Sequence, residues 1–393
     1  MQFDIVIAGG GPAGLSLASA LGGSGLSVAV VERAPETELA DPAFDGREIA
    51  LTHRSVALLK ETGAWDRIPA DEIAEMSTAR VLNGGSLYAM NFSPASGGPL
   101  GHLVANHLIR RAVYQTAIAH DTITLLAGVS VTAVHTTTEG GIVRLSDGRD
   151  LSARLVVAAD TRFSELRRSQ GIPARMHDFG RMMMVCRVEH DLAHDGVATE
   201  WFDYGQTIAM LPIKGNCSSF VLTLPAREME QVMALDDDAF SAEATRRYRE
   251  RLGRMRLISK RITYPLVGVY AERFVATRFA LVGDAAVGMH PVTAHGFNFG
   301  LQGADALARR VRAAAAKGGD IAAPALLRAY EREHRLATFP TYAATNATVR
   351  LFTDARRPAR MLRDVLLRVG NMAAPVRGMI TRHLMESGRP KPA

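Results

Sequence analysis

The chain has 393 residues, with 46 Lys and Arg against 40 Asp and Glu, a net charge of +6 and 47% hydrophobic residues. That length can bury a large core and hold two domains. Cys186 and Cys217 are the only cysteines, too few for a zinc cluster or a disulfide framework, and no apolar window reaches the length of a transmembrane helix.

The first strand is expected over Phe3 to Ala8, a β-branched run that begins almost at residue one. It occupies the space a signal peptide would need, so a cytoplasmic protein is expected. The run leads into Gly9-Gly10-Gly11-Pro12-Ala13-Gly14, a GxGxxG set on Gly9, Gly11 and Gly14. Leu15, Leu17, Ala18 and Leu21 continue at helical spacing, and a second strand from Ser27 to Val31 ends on Glu32. Strand, glycine turn, helix, strand and acid together make the dinucleotide fingerprint. The glycines permit the turn and the close approach of a pyrophosphate to the helix start. Glu32 is placed to accept hydrogen bonds from an adenosine ribose.

A polar loop follows and carries Arg47, which by itself reads as a solvated cation. Ser55 to Leu59 starts a short helix. Met76 to Leu82 and Ser86 to Phe92 flank Asn83-Gly84, a hairpin signal that interrupts the α/β pattern. Asn106 to His120 reads as a helix, and two strands follow near Val129 to Thr137 and Ile142 to Leu145. Another strand ends at Leu155 to Asp160. After it, Thr161 to Arg168 forms a turn and an arginine-rich short helix. Cations there suit phosphates; an exposed basic helix is the equal alternative. From Arg181 to Leu224 short strands are expected, with a charged helix over Asp236 to Arg251 and a strand over Arg261 to Leu266. This mainly antiparallel block reads as an inserted substrate domain. Met182, Met183 and Met184 fit core packing better than a pocket lining.

Phe279 to Val282 is a buried-strand run closed by Gly283, with Asp284 at its carboxyl end, where open α/β sheets bind ligands. Pro291 fixes the loop, and Gly296, Phe297 and Asn298 open a long helix whose start would stabilise negative charge. From Ala325 the chain is expected to be helical, and its last part carries an apolar side with Arg350, Arg356, Arg357, Arg360, Arg363, Arg368, Arg377 and Arg382. Packing on the sheet with a solvated arginine face is the favoured reading, contact with an anionic membrane surface the other.

Three motifs in order carry a family resemblance: Gly9 to Gly14 with Glu32, Asp160 to Arg168, and Gly283 to Gly300. Together they resemble the group A flavoprotein monooxygenases, in particular the branch that hydroxylates the ring in ubiquinone biosynthesis, of the demethoxyubiquinol hydroxylase type. The sequence departs from the usual pattern at Thr161, at Val287 and at Ala294-His295-Gly296. The resemblance implies an α/β fold with a Rossmann-like FAD-binding domain, similar to para-hydroxybenzoate hydroxylase, an inserted mainly antiparallel β substrate domain and a helical C-terminal tail. Residues 1–75, 101–172 and 273–335 would build the first, 76–100 and 173–272 the second, and 336–393 the tail.

The resemblance further implies FAD, with its ADP part on Gly9, Gly11, Pro12, Ala13 and Gly14. The flavin would lie near Pro291, Gly296, Phe297 and Asn298, and Asp284 beside Gly283 would reach the ribityl or pyrophosphate part. Glu32, Arg33, Arg47, Arg110 or Arg111, and Val129 complete the cofactor contacts. Asp160 and Arg167 serve both FAD and a nicotinamide cofactor, NADH or NADPH, that docks transiently. The implied reaction passes through a C4a-hydroperoxyflavin formed with O2 and hydroxylates a lipophilic phenol or quinol. His290, Pro291 and His295 are the candidate catalytic residues; the two histidines would position substrate or shuttle its proton, or serve only the loop. A membrane surface, with the protein peripheral on the inner membrane, or a quinone-synthesis complex is the further partner; no nucleic acid is expected. The rival readings are a monooxygenase of a small soluble phenol, another flavin enzyme such as a halogenase or prenyl reductase, and a non-catalytic flavin-bound scaffold.

Overall fold

The computed structural model describes residues 1–86, 88–94, 97–290 and 295–353. Pro291 and the chain beyond Thr353, with its arginines, lie outside the described residues.

Gln2–Ala8, the expected first strand, is the hub of an eight-stranded sheet. Its neighbours are Val28–Glu32 on one side and Asp150–Ala158 on the other, both parallel to it. Ile123–Ala127 extends the sheet beyond Val28–Glu32, and Phe279–Leu281 extends it beyond Asp150–Ala158. Ile5, Val6, Ile7, Leu155, Val156 and Val157 are fully buried, as continuous apolar runs must be when helices cover both faces of a parallel sheet. The chain leaves Gln2–Ala8 first to one side and later to the other. The carboxyl ends of Gln2–Ala8 and Asp150–Ala158 therefore flank a topological switch point, where such sheets open a crevice.

The second sheet has nine strands and is antiparallel apart from one parallel pair, Val197–Asp203 with Thr78–Asn83. The expected hairpin is present: Thr78–Asn83 pairs with Ala89–Phe92, with Leu82 opposite Ala89. Its connection is longer than the two-residue turn that Asn83-Gly84 suggests. Where short strands were expected, Ala174–His190 is one strand of 17 residues. It stays continuous because it has partners on both sides, Cys217–Pro225 and Ile262–Ala271, and absorbs a register break between Asp178 and Met182 at Gly180, φ +63°. The charged helix stops at Arg247 because Arg249 and Glu250 take left-handed backbone conformations and turn the chain toward Met255–Leu257.

Ala226–Met233 and Asp237–Arg247 cover one face of this sheet, over Trp201, Phe220 and Leu222. Met182 and Met184 point to that face and Met183 to the other, so the methionines serve packing. The opposite face meets the loop before Glu48–Leu51. A Cβ at Gly46 would lie 2.6 Å from Val185 Cγ2, the Tyr264 hydroxyl donates to the Asp45 carbonyl at 2.8 Å, and Arg187 donates to Glu48 Oε1 at 2.6 Å. No helix among the described residues is long and apolar enough to cross a membrane.

Candidate active site

The glycine turn is shaped by close approach. Gly9 has φ +117°, and a Cβ there would meet the Ala159 carbonyl at 2.4 Å; a Cβ at Gly14 would meet the Gly9 carbonyl at 2.0 Å. Only glycine lets the helix start, the turn and the Asp150–Ala158 strand end meet at these distances. Glu32 accepts from the Gly10 amide at 2.7 Å and the Ala34 amide at 2.9 Å, so its carboxylate fixes the turn and keeps lone pairs for a further donor. Val129 donates its amide to the Glu32 carbonyl at 3.1 Å, and Arg33 is exposed beside it. Gly11 is different: nothing lies within 4 Å of a Cβ built there. It begins the helix Pro12–Leu21, no side chain caps that helix, and Pro12 opens its first turn.

Three small residues bring the distant motifs together. A Cβ at Gly283 (φ +63°) would lie 2.7 Å from the Ala13 Cβ. One at Gly300 would lie 3.7 Å from the Gly283 Cα and 3.8 Å from the Ala13 Cβ. Helix Gly296–Ala315 thus packs on Pro12–Leu21 with the Gly283–Ala285 turn between them. Among the described residues no side chain caps Gly296–Ala315 either, and none lies within 4 Å of a Cβ at Gly296. Two helix starts that no described side chain caps converge on one crevice and make it favourable to negative charge.

Asp284 follows the Phe279–Leu281 strand and accepts from Arg162 at 2.9 Å, while Arg162 also donates to the Val267 carbonyl at 2.9 Å. The sequence reading did not single out Arg162; its position two residues after Asp160 was the available signal. Asp160 itself packs against the Gly9 turn, its amide 3.0 Å from a Cβ there. Burial raises its carboxyl above the usual range, and its buried Oδ1 has no partner among the described residues. Arg167 is neither a phosphate clamp nor part of an exposed basic helix. It is 1% exposed and donates to the Arg162 and Ala285 carbonyls at 3.1 and 3.0 Å, tying the Asp160 turn to the Asp284 turn from behind.

Arg47 is not a free loop cation. Asp45 accepts from its Nε at 3.0 Å, and its guanidinium lies 5.3 Å over the Tyr264 ring. Asn106, at the head of helix Asn106–Ala117, donates to the same Asp45 oxygen at 2.7 Å. Asp284 is near enough to help raise Arg47's pKa, behind Asp45 and Tyr264. Arg110 and Arg111 sit half-buried on Asn106–Ala117; Arg110 acts on Tyr264 and Arg111 on His107.

Asn298 is 1% exposed, with its side chain turned to the protein: Oδ1 accepts from the Thr52 amide at 3.1 Å and Nδ2 donates to the Ala50 carbonyl at 2.8 Å. Phe297 is half-buried beside it. His290 packs edge-on against Phe179 at 4.7 Å, and burial with Arg181 nearby pushes its pKa down to about 4. Both effects favour the neutral imidazole. His295 is 3% exposed, its ring 5.4 Å from Phe299, and its carbonyl accepts the Phe299 amide as the helix begins.

The FAD binding domain family matches residues 2–341. The ubiquinone hydroxylase UbiM of Neisseria meningitidis is 45% identical over 390 residues, covering 98% of this chain and 85% of that one. This chain is a member of the FAD-binding, group A flavin monooxygenases. The ubiquinone hydroxylase UbiL of Rhodospirillum rubrum is 38% identical, covering 97% of the monooxygenase and 89% of its own length. In fold, the monooxygenase is similar to p-nitrophenol 4-monooxygenase from Pseudomonas putida, with a TM-score of 0.76, 19% identity and 99% of each chain covered.

The residues present fit FAD. An open-sided Gly11 stands before an uncapped helix start, Glu32 closes the turn, and the orphaned Asp160 oxygen borders the same crevice. That is the donor and acceptor set a dinucleotide's pyrophosphate and hydroxyls require.

Proposed function

We propose that this monooxygenase hydroxylates the aromatic ring of a ubiquinone precursor, with O2 as co-substrate and NADH or NADPH as electron donor. The observation that carries the reading is the 45% identity to a ubiquinone hydroxylase, spread over 98% of the chain. The convergence of Ala13, Gly283 and Gly300, with Arg162 and Arg167 donating to Asp284 and the Ala285 carbonyl, supports it by joining all three motifs in one crevice.

FAD, when bound, supplies the redox chemistry that activates O2. The chain's own residues hold and orient it. Gly9 to Gly14 would cradle the pyrophosphate, and Glu32 the ribose. Arg47, Asp160 and Asp284 would line the path to the flavin, and the helix start at Gly296 would stabilise negative charge on its ring. The face of the nine-stranded sheet that carries Val185 and Tyr264 would close the site from above and exclude water. In this reading residues 1–75, 101–172 and 273–335 form the FAD-binding unit, and 76–100 with 173–272 the substrate unit. His290, neutral and buried, would act as a hydrogen-bonding or packing group and not as a cationic acid. The sequence holds no second dinucleotide fingerprint, so the nicotinamide cofactor would dock transiently on the same crevice.

The test is a mass-spectrometric profile of quinone lipids in a host lacking its own ring hydroxylases, with and without this protein. Appearance of hydroxylated, mature quinone supports the reading, and the intermediates that disappear name the ring position. An unchanged profile with FAD-loaded protein present would move the substrate to a small soluble phenol. Fractionating the same cells checks the associated proposal of peripheral membrane contact.

A further inference from the structure

Glu200 lies in the strand Val197–Asp203, in the middle of the nine-stranded sheet. Directly paired residues of neighbouring strands share a face. Val81 pairs with Glu200, Glu200 with Ala209, Ala209 with Val221, and Val221 with Val185. Glu200 therefore stands on the face whose Val185 touches the Gly46 loop, opposite the helix-covered face that Trp201 enters. It is the only ionisable side chain in this row.

The row is also open. Val81, Glu200, Ala209 and Val221 all keep accessible surface, whereas Ala198 and Phe202, two residues along the strand on the same face, are buried. Ala209 gives the row a low floor. The result is an apolar trough about three strand spacings long, ~14 Å from Val81 to Val221. The Glu200 side chain forms no hydrogen bond or ion pair with any described residue. Burial pushes its carboxyl up to about 8, and no charged side chain contributes to that shift. An unpaired acid in apolar surroundings is costly to keep unless something else uses it.

We propose that Glu200 is the polar anchor of the aromatic substrate, its carboxyl hydrogen-bonding a ring oxygen of a phenol laid in the trough. This rests on the ring-hydroxylase reading of the same site. A neutral acid both donates and accepts, so it can serve a hydroxyl, a methoxy or a carbonyl oxygen, whereas an ionised one only accepts. The apolar floor takes the ring face and an alkyl substituent, and Glu200 sets the orientation.

The experiment uses FAD-loaded full-length protein and a short-tailed methoxyphenol as probe, with binding read from the flavin absorbance change and turnover read separately. Glu200→Leu should weaken probe binding roughly ten- to a hundredfold, because the ring oxygen loses its partner in an apolar site. Its FAD content should be unchanged and its melting temperature equal or higher, which separates a binding role from misfolding. Glu200→Gln keeps a donor and an acceptor; it should bind near normally at pH 7 and lose the weakening that the wild type shows as pH rises past about 8. Probe affinity unchanged in Glu200→Leu, or identical pH profiles for wild type and Glu200→Gln, would overturn the proposal. If wild-type protein binds the probe through Glu200 but never hydroxylates it, the functional reading fails while the anchor stands.

Discussion

Gly11 and Gly14 belong to one motif, yet the structure gives them different tasks, and alanine separates them. At Gly14 the added methyl would sit 2.0 Å from the Gly9 carbonyl and 3.2 Å from the Ala159 Cβ, so the helix must move off the turn. Overpacking of this kind costs about 1–3 kcal/mol, and Gly14→Ala should lower the apoprotein's melting temperature by several degrees. At Gly11 the backbone is already ordinary, φ −73° and ψ 176°, and the methyl meets no protein atom within 4 Å. Gly11→Ala should leave apoprotein stability within about 1 kcal/mol of wild type. Its methyl instead occupies the side from which the pyrophosphate must approach. The same ~1–3 kcal/mol then falls on the complex, which is about 5- to 150-fold in FAD affinity. The assay is thermal melting with and without FAD: at a hundred times its dissociation constant, FAD adds about 2.7 kcal/mol to the wild type, and at the same concentration Gly11→Ala should lose about 0.9 to 2.4 kcal/mol of that. A Gly11→Ala protein that holds FAD within twofold of wild type would refute the assignment of Gly11's open side to the cofactor.

Two other substitutions probe the scaffold. Asn298→Ala strands the Thr52 amide and the Ala50 carbonyl in a buried setting, and should destabilise the fold by about 2–4 kcal/mol in urea unfolding; a loss below about 0.5 kcal/mol would mean these bonds hold nothing. His334 stacks on Tyr330, and burial pushes its pKa down to about 4. The unfolded chain takes this proton below about pH 6.5 and the folded chain does not. His334's contribution is therefore complete above pH 6.5 and declines as pH falls toward 4, by at most about 3 kcal/mol. His334→Gln should flatten the acid limb of a stability-versus-pH curve, and an unchanged limb would count against burial as the cause.

Much of this protein was legible in its sequence. Continuous apolar runs at Phe3 to Ala8 and Leu155 to Ala158 can only be central strands, and a glycine turn followed by a helix and an acid has few other uses. These signals are local: backbone sterics and hydrophobic period act over a few residues, so the sequence shows them directly. The long strand Ala174–His190 was not legible, because its continuity depends on partners 40 and more residues away in the chain. Arginine side chains were read least well. By type Arg47, Arg162 and Arg167 look alike, yet Arg47 is held by Asp45 over Tyr264, Arg162 by Asp284, and Arg167 is buried behind both turns. A long charged side chain can satisfy its donors in many ways, and which way it takes depends on neighbours brought from elsewhere.

The sequence alone determined the fold class, the order of the three motifs and the place where a dinucleotide's pyrophosphate meets a helix start, since each follows from short-range geometry. Only the tertiary structure decided that Ala13, Gly283 and Gly300 touch, that Asn298 spends its side chain on the Ala50 to Thr52 backbone, and that Glu200 stands alone in an apolar trough. Those outcomes depend on how two sheets pack and which face each strand turns inward, and strand pairing across the chain sets both.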